Sequence, residues 1–203
     1  MLPTNKTELI YQPTAITYTM TSDILEFNMV PPEGMTLEQF NNRLCEIVRN
    51  EPDAHNRSTN VKAKMTKWNM THEYPEFKYV SEYIMNILKD FYGKMSDLNM
   101  VTHLATCWGG LYKRGDYTEP HSHLPGFYNF VYYVKAEEDA APLVFTHANQ
   151  LGVKVNPGYG VLFPSWLVHE VREHQSDEER IFITGNIEAT GGVNYPQRQW
   201  LET

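Results

Sequence analysis

From about residue 100 the chain breaks into short segments rich in Val, Tyr, Phe and Ile, each cut off by Gly, Pro, Asn or Asp. Branched and aromatic side chains suit a pleated surface, and turn residues at such close intervals leave no room for long helices. Eight strands are expected, near 102–112, 119–124, 127–135, 142–146, 151–155, 160–164, 168–173 and 179–187. "NPGYG" at 156–160 and "QSDEE" at 175–179 read as tight turns between them. Eight short antiparallel strands predict a double-sheet jelly roll, that is, a double-stranded β-helix.

The first half reads differently. In "MTLEQFNNRLCEIVRN", Thr36 and Gln39 have capping-box spacing, and Leu37, Phe40, Leu44 and Ile47 recur at intervals of three and four. In "YPEFKYVSEYIMNILKDFYGK", Pro75 suits a first helical turn. There Phe77, Val80, Ile84, Ile87 and Phe91 make the apolar stripe, and Gly93 is the stop. Two amphipathic helices of this kind serve to cover a sheet. The fold class is therefore mainly β with α, in one domain of 203 residues. Its parts are residues 1–99, helical and substrate-side; 100–188, the jelly-roll core; and 189–203, a C-terminal tail.

Composition narrows the function. The net charge is −8 and the basic residues form no patch, so nucleic acid is not an expected partner. No apolar run is long enough for a membrane span, and the N-terminus lacks the pattern of a secretory signal. Cys45 and Cys107 fit neither a disulfide framework nor a zinc knuckle, which suits a reducing cytoplasm.

The chemistry is concentrated in "YTEPHSHLPGFYNFVYYV". Alternate residues of a strand share a face, so Glu119, His121 and His123 would point the same way and two imidazoles could share a metal. "GYGVLFPSWLVHEV" then brings His169, 48 positions after His121, onto an expected neighbouring strand. Eleven positions later Arg180 enters the strand of "DEERIFITGNI". It is either a surface residue at the strand's start or a buried anchor whose planar fork matches a carboxylate.

Taken together, "WGGLYKRGDYTEPH", "PHSHLPGFYNFVYYV", "VLFPSWLVHEV" and "DEERIFITGNI" resemble the iron(II)/2-oxoglutarate oxygenases, and more narrowly a small prolyl-hydroxylase-like branch with an HxHP motif. The likeness covers about residues 100 to 188. It implies Fe(II), 2-oxoglutarate as cosubstrate, and dioxygen. It implies that His121 and His169 bind iron and that Arg180 holds the far carboxylate of the cosubstrate. The sequence departs from the pattern at two positions. His123 stands where the superfamily usually has a carboxylate, and Phe182 stands where a small hydroxyl residue often follows the arginine. The third ligand is then His123, or Glu119 with His123 behind it, or water; the three-histidine set is preferred.

Four further residues are candidates for the cosubstrate pocket. Only one of Tyr132 and Tyr133, adjacent on a strand, can face the interior, and core packing is as good a reading for either. Asn129 and Asn186 lie on apolar strands, where a buried amide needs a partner. Trp108, Tyr112 and Trp166 would line the mouth or fill the core. His103, His147 and His174 carry no spacing argument, and His55 and His72 are expected to be exposed. The expected activity is hydroxylation of a small molecule or peptide, with peptidyl proline implied by the resemblance alone. Two rivals stand beside it: a cupin-like three-histidine metalloenzyme without 2-oxoglutarate, and a non-catalytic jelly-roll binding domain.

Overall fold

The computed structural model describes residues 18–21, 24–93, 101–146 and 151–190. His147 and most of the expected C-terminal tail lie outside the described residues.

The two helices form where the apolar spacing predicts them. Helix α1 (Leu37–Asn50) starts at Thr36 with both halves of the capping box, Gln39 N–H donating to Thr36 Oγ1 and Thr36 N–H donating to Gln39 Oε1. Helix α2 (Pro75–Gly93) opens on its proline, whose missing N–H would have no partner in a first turn. Phe40, Leu44 and Val48 of α1 and Phe77, Val80, Ile84 and Ile87 of α2 are fully buried, all in one apolar cluster.

The strands make two facing antiparallel sheets. In chain order they are β1 (Tyr18–Thr21), β2 (Ile24–Asn28), β3 (Val61–Lys62), β4 (Lys64–Met65), β5 (Val101–Tyr112), β6 (Tyr117–His121), β7 (Tyr128–Lys135), β8 (Leu143–Phe145), β9 (Leu151–Gly152), β10 (Tyr159–Pro164), β11 (His169–Val171) and β12 (Arg180–Thr190). The larger sheet runs β1-β2-β10-β7-β12-β5-β4, and the smaller runs β3-β6-β11-β8-β9. The eight strands expected beyond residue 100 are β5 to β12. Strands β1 to β4 are additions: two extend one edge of the large sheet, and β4 and β3 cap the other edge and the small sheet.

Alternation along the central strands separates two cores. On β7, Tyr128, Phe130, Tyr132 and Val134 face the helices, while Val131 and Tyr133 face the small sheet. With both faces covered, the strand is apolar almost throughout. On either face of the large sheet, large rings lie over glycines on the neighbouring strand. Phe182 covers Gly110, its register partner, so closely that a Cβ there would sit 2.2 Å from the ring. Phe130 covers Gly185 in the same way. Between the two sheets lies a slot lined by inward-facing residues of β5, β7, β12, β6 and β11. Among the described residues no helix is long and apolar enough to cross a membrane.

Candidate metal and cosubstrate site

The ladder between β6 and β11 sets His169 directly opposite His121. His123 lies just past the end of β6 and is held by its backbone. Its N–H donates to Ser165 O at 2.8 Å, and its carbonyl accepts from Gly126 N–H at 2.8 Å. The three imidazoles thus converge, with ring centroids 4.4 to 5.1 Å apart and one ligand nitrogen from each within 4.8 Å of the others. His121 Nδ1 is 2.8 Å from Glu119 O, and His169 Nδ1 is 2.9 Å from Leu167 O. A carbonyl only accepts, so each Nδ1 carries the proton and each Nε2 keeps its lone pair, the tautomer a metal needs.

Burial holds all three rings neutral. His121 is shifted below the ordinary imidazole range by desolvation, partly offset by its bond to Glu119. Desolvation and the neighbouring His121 push His123 down to about 4. Desolvation, with His121 next in weight, pushes His169 down to about 3. Three clustered imidazoles that resist protonation form a neutral nitrogen donor set suited to a first-row divalent metal.

Glu119 does not join them. Its side chain is about half exposed and lies 3.6 Å from Lys62 Nζ, so it contributes its backbone carbonyl to His121 rather than its carboxylate to the cluster. The expected shared face fails because the β6–β11 ladder shifts register between Thr118 and His121, so that these two line the pocket and Glu119 does not.

Arg180 closes the other end of the same pocket, which is also lined by Trp108, Tyr112, Thr118, Val131, Phe182 and Thr184. It is 1% exposed, yet its Nε and Nη1 have no hydrogen-bond partner among the described residues. The guanidinium is caged by three rings, Tyr112 at 4.8 Å, Phe182 at 4.9 Å and Tyr133 at 5.0 Å. Ring faces attract a cation, but they do not satisfy N–H donors. The Tyr133 hydroxyl is likewise buried and unpartnered. A buried cation flanked by an idle hydroxyl donor is complementary to a carboxylate.

The remaining candidates divide by geometry. Tyr132 is on the opposite face of β7, where its hydroxyl donates to Asn41 Oδ1 at 2.5 Å. Asn129 and Asn186 share the inward face but lie six residues along β12 from Arg180, paired with each other across the ladder. Trp108 and Tyr112 line the pocket, whereas Trp166 is 55% exposed beside it. His174 is no ordinary surface histidine. It is fully buried, taking the Ala141 N–H on Nδ1 and giving its Nε2 proton to Glu178 O, which ties the β7–β8 loop to the β11–β12 loop. Nor is His55 simply exposed, since it is half-buried and packs 4.3 Å from the Trp68 ring. Thr106 and Ser165, which border the site, carry no sequence signal, because hydroxyl residues are ordinary in and beside strands.

Comparison with known proteins agrees with this geometry. The family profile described as "Putative 2OG-Fe(II) oxygenase" matches residues 145–186, the stretch holding His169, Arg180 and Asn186. That stretch is well under half of the chain, so it marks a likeness to the family's signature. The viral collagen prolyl hydroxylase of Paramecium Bursaria Chlorella virus-1, solved with 2-oxoglutarate, superposes with a TM-score of 0.62 at 14% identity, over 83% of this chain and 97% of that one. A Pseudomonas putida prolyl-4-hydroxylase gives 0.57 at 16% identity, over 83% and 94%. HygX of Streptomyces hygroscopicus, solved with nickel, 2-oxoglutarate and hygromycin B, gives 0.59 at 11% identity, over 82% of each chain. At such identities these structures speak for the fold of this chain. No curated protein sequence matches it.

Proposed function

We propose that this chain is an iron(II)/2-oxoglutarate oxygenase that binds Fe(II) through His121, His123 and His169, anchors the far carboxylate of 2-oxoglutarate on Arg180 and Tyr133, and hydroxylates a substrate C–H bond. The observation that carries the reading is Arg180, a buried guanidinium with unpaired donors in the same pocket as three neutral imidazoles. When bound, iron with 2-oxoglutarate supplies the oxidising chemistry. One oxygen atom of dioxygen enters the substrate, and the other enters the succinate formed with carbon dioxide.

The chain's own residues do the rest. The Nδ1 protons of His121 and His169, held by Glu119 O and Leu167 O, fix ring orientation and leave Nε2 toward the metal. Arg180 offers its unpaired Nε and Nη1 donors, and Tyr133 its hydroxyl. Phe182, Val131 and Leu143 exclude water from the cosubstrate's chain. Phe182 against Gly110 fills the space that a hydroxyl side chain takes in related sequences, so the carboxylate relies on Tyr133 instead. Peptidyl proline is the substrate class we favour, because two of the similar structures are prolyl hydroxylases. Two free, buried cysteines support a cytoplasmic setting.

The test is anaerobic. Fe(II) added to the metal-free protein, followed by 2-oxoglutarate, should produce a weak visible charge-transfer band at one equivalent. Tight iron binding with no such band would instead favour the cupin-like reading, in which Arg180 is dispensable.

A further inference from the structure

The pocket's inward face continues past the metal as a second polar row. Asn186 of β12 is opposite Thr106 of β5 on one side and Asn129 of β7 on the other, so the three side chains occupy one rung across three strands. They share the parity of Arg180, Phe182 and Thr184 on β12, of Tyr112 and Trp108 on β5, and of Val131 and Tyr133 on β7. Thr106 Oγ1, Asn129 Oδ1 and Asn186 Oδ1 are all buried, and none has a hydrogen-bond partner among the described residues. Asn129 is 1% exposed, and its amide nitrogen is fixed by donating to Ser165 Oγ at 3.1 Å, which leaves its oxygen turned to the open side of that bond. Trp108, one pair of residues further in and opposite Thr184, has a buried and unpartnered indole N–H.

Native proteins rarely leave buried polar atoms idle, and two amide oxygens and a hydroxyl without partners on one rung suit a hydrogen-bonding group from outside the chain. The cosubstrate does not meet that need. Six residues of strand place the row roughly 20 Å along β12 from Arg180, whereas a five-carbon diacid spans roughly 7 Å at ordinary bond lengths. A 2-oxoglutarate dianion also has no hydrogen to donate. The row is nevertheless coupled to the metal cluster, since Ser165, which fixes Asn129, accepts the His123 N–H through its carbonyl. Exposed Trp166 and Leu124 flank that same Ser165–His123 contact.

We infer that Thr106, Asn129 and Asn186, with the Trp108 indole, form the substrate-recognition rung, and that the substrate presents amide groups there. An amide supplies both halves of what is unpaired, N–H donors for the three oxygens and a carbonyl for the indole. The apolar rim of Trp166 and Leu124 covers the flanking side chains of such a substrate. This deepens the oxygenase reading and rests on it.

Two variants test it, Thr106→Val and Asn186→Leu, which remove acceptors with little change of shape. Both should bind iron and 2-oxoglutarate, read from the anaerobic charge-transfer band, within about twofold of the parent. Both should unfold at the parent's temperature or above, because a buried acceptor without a partner is deleted. On the zinc-loaded protein with 2-oxoglutarate, ligand-observed NMR should show a blocked peptide mixture binding the parent and at least tenfold weaker binding to the variants. A neutral sugar mixture should bind neither. A tenfold or greater loss of 2-oxoglutarate affinity in the variants would return the rung to the cosubstrate and overturn the proposal. So would peptide binding that is equal in parent and variants, absence from both included, or preference for the sugar probe. A parent that never shows the charge-transfer band overturns the oxygenase reading itself, which is a separate result. If Asn186→Leu does not fold, Thr106→Val carries the comparison alone.

Discussion

His123 carries the unusual part of the donor set. A carboxylate at that position would lower the charge on a divalent metal by one, whereas a third imidazole leaves it at its full value. His121→Ala and His169→Ala should each abolish stoichiometric iron binding, measured by metal analysis after desalting. His123→Asp should retain iron, since it restores the two-histidine, one-carboxylate set. Glu119→Ala should leave iron content unchanged, because its carboxylate faces Lys62. Arg180→Ala should weaken 2-oxoglutarate by about thirtyfold or more, from the roughly 2–5 kcal/mol lost when a buried charge pair is truncated. Arg180→Lys should recover only part of that, and iron affinity should not move in either variant. Retained 2-oxoglutarate affinity in Arg180→Ala would remove the cosubstrate from this pocket. That His121, His169 and Arg180 share one pocket was legible from the combination of segments that carry the family resemblance, no one of which is specific alone. His174 and Thr106 were not, because a histidine satisfied by loop backbone or a threonine in a strand leaves no pattern.

At the level of elements, neighbouring strands of the large sheet pack closely where glycines lie under phenylalanines. A Cβ on Gly185 would lie 2.4 Å from the Thr106 carbonyl, a backbone atom of the neighbouring strand. Gly185→Ala must therefore part β5 from β12 and should cost about 3 kcal/mol or more in denaturant unfolding. Gly152→Ala, on short edge strand β9 with nothing nearer than 3.9 Å, should change stability by less than about 0.5 kcal/mol. Similar midpoints for the two variants would contradict this account of sheet packing. The helices and the eight later strands were readable from periodicity, as Thr36 with Gln39 and the apolar run of β7 illustrate. Strands β3 and β4 were not, since two residues contain no alternation and their pairing depends on where β5 and β6 happen to lie.

For the whole molecule, the buried histidine cluster links folding to acidity. The unfolded imidazoles titrate near 6.5, whereas His123 and His169 in the folded protein titrate at about 4 and about 3. Between these values the unfolded chain binds protons that the folded chain refuses, so stability falls as pH falls. The metal-free protein should therefore show a declining melting temperature from about pH 6.5 down toward pH 4. His123→Asn should flatten that decline, and a slope unchanged by the substitution would show that other groups set it.

The hairpin of β1 and β2 has a consequence for how the protein tolerates shortening. Strand β2 pairs with β10, which is buried along its whole length and pairs with β7 on its other side. Without residues 18–28, β10 would be left as an open edge of apolar side chains and unpaired backbone groups, a template for strand exchange with a second molecule. A chain trimmed at residue 30 should keep its histidines and its arginine yet elute as dimers and larger species from a sizing column. A segment that contributes no residue to the pocket is, on this view, the one that keeps the protein from assembling with itself.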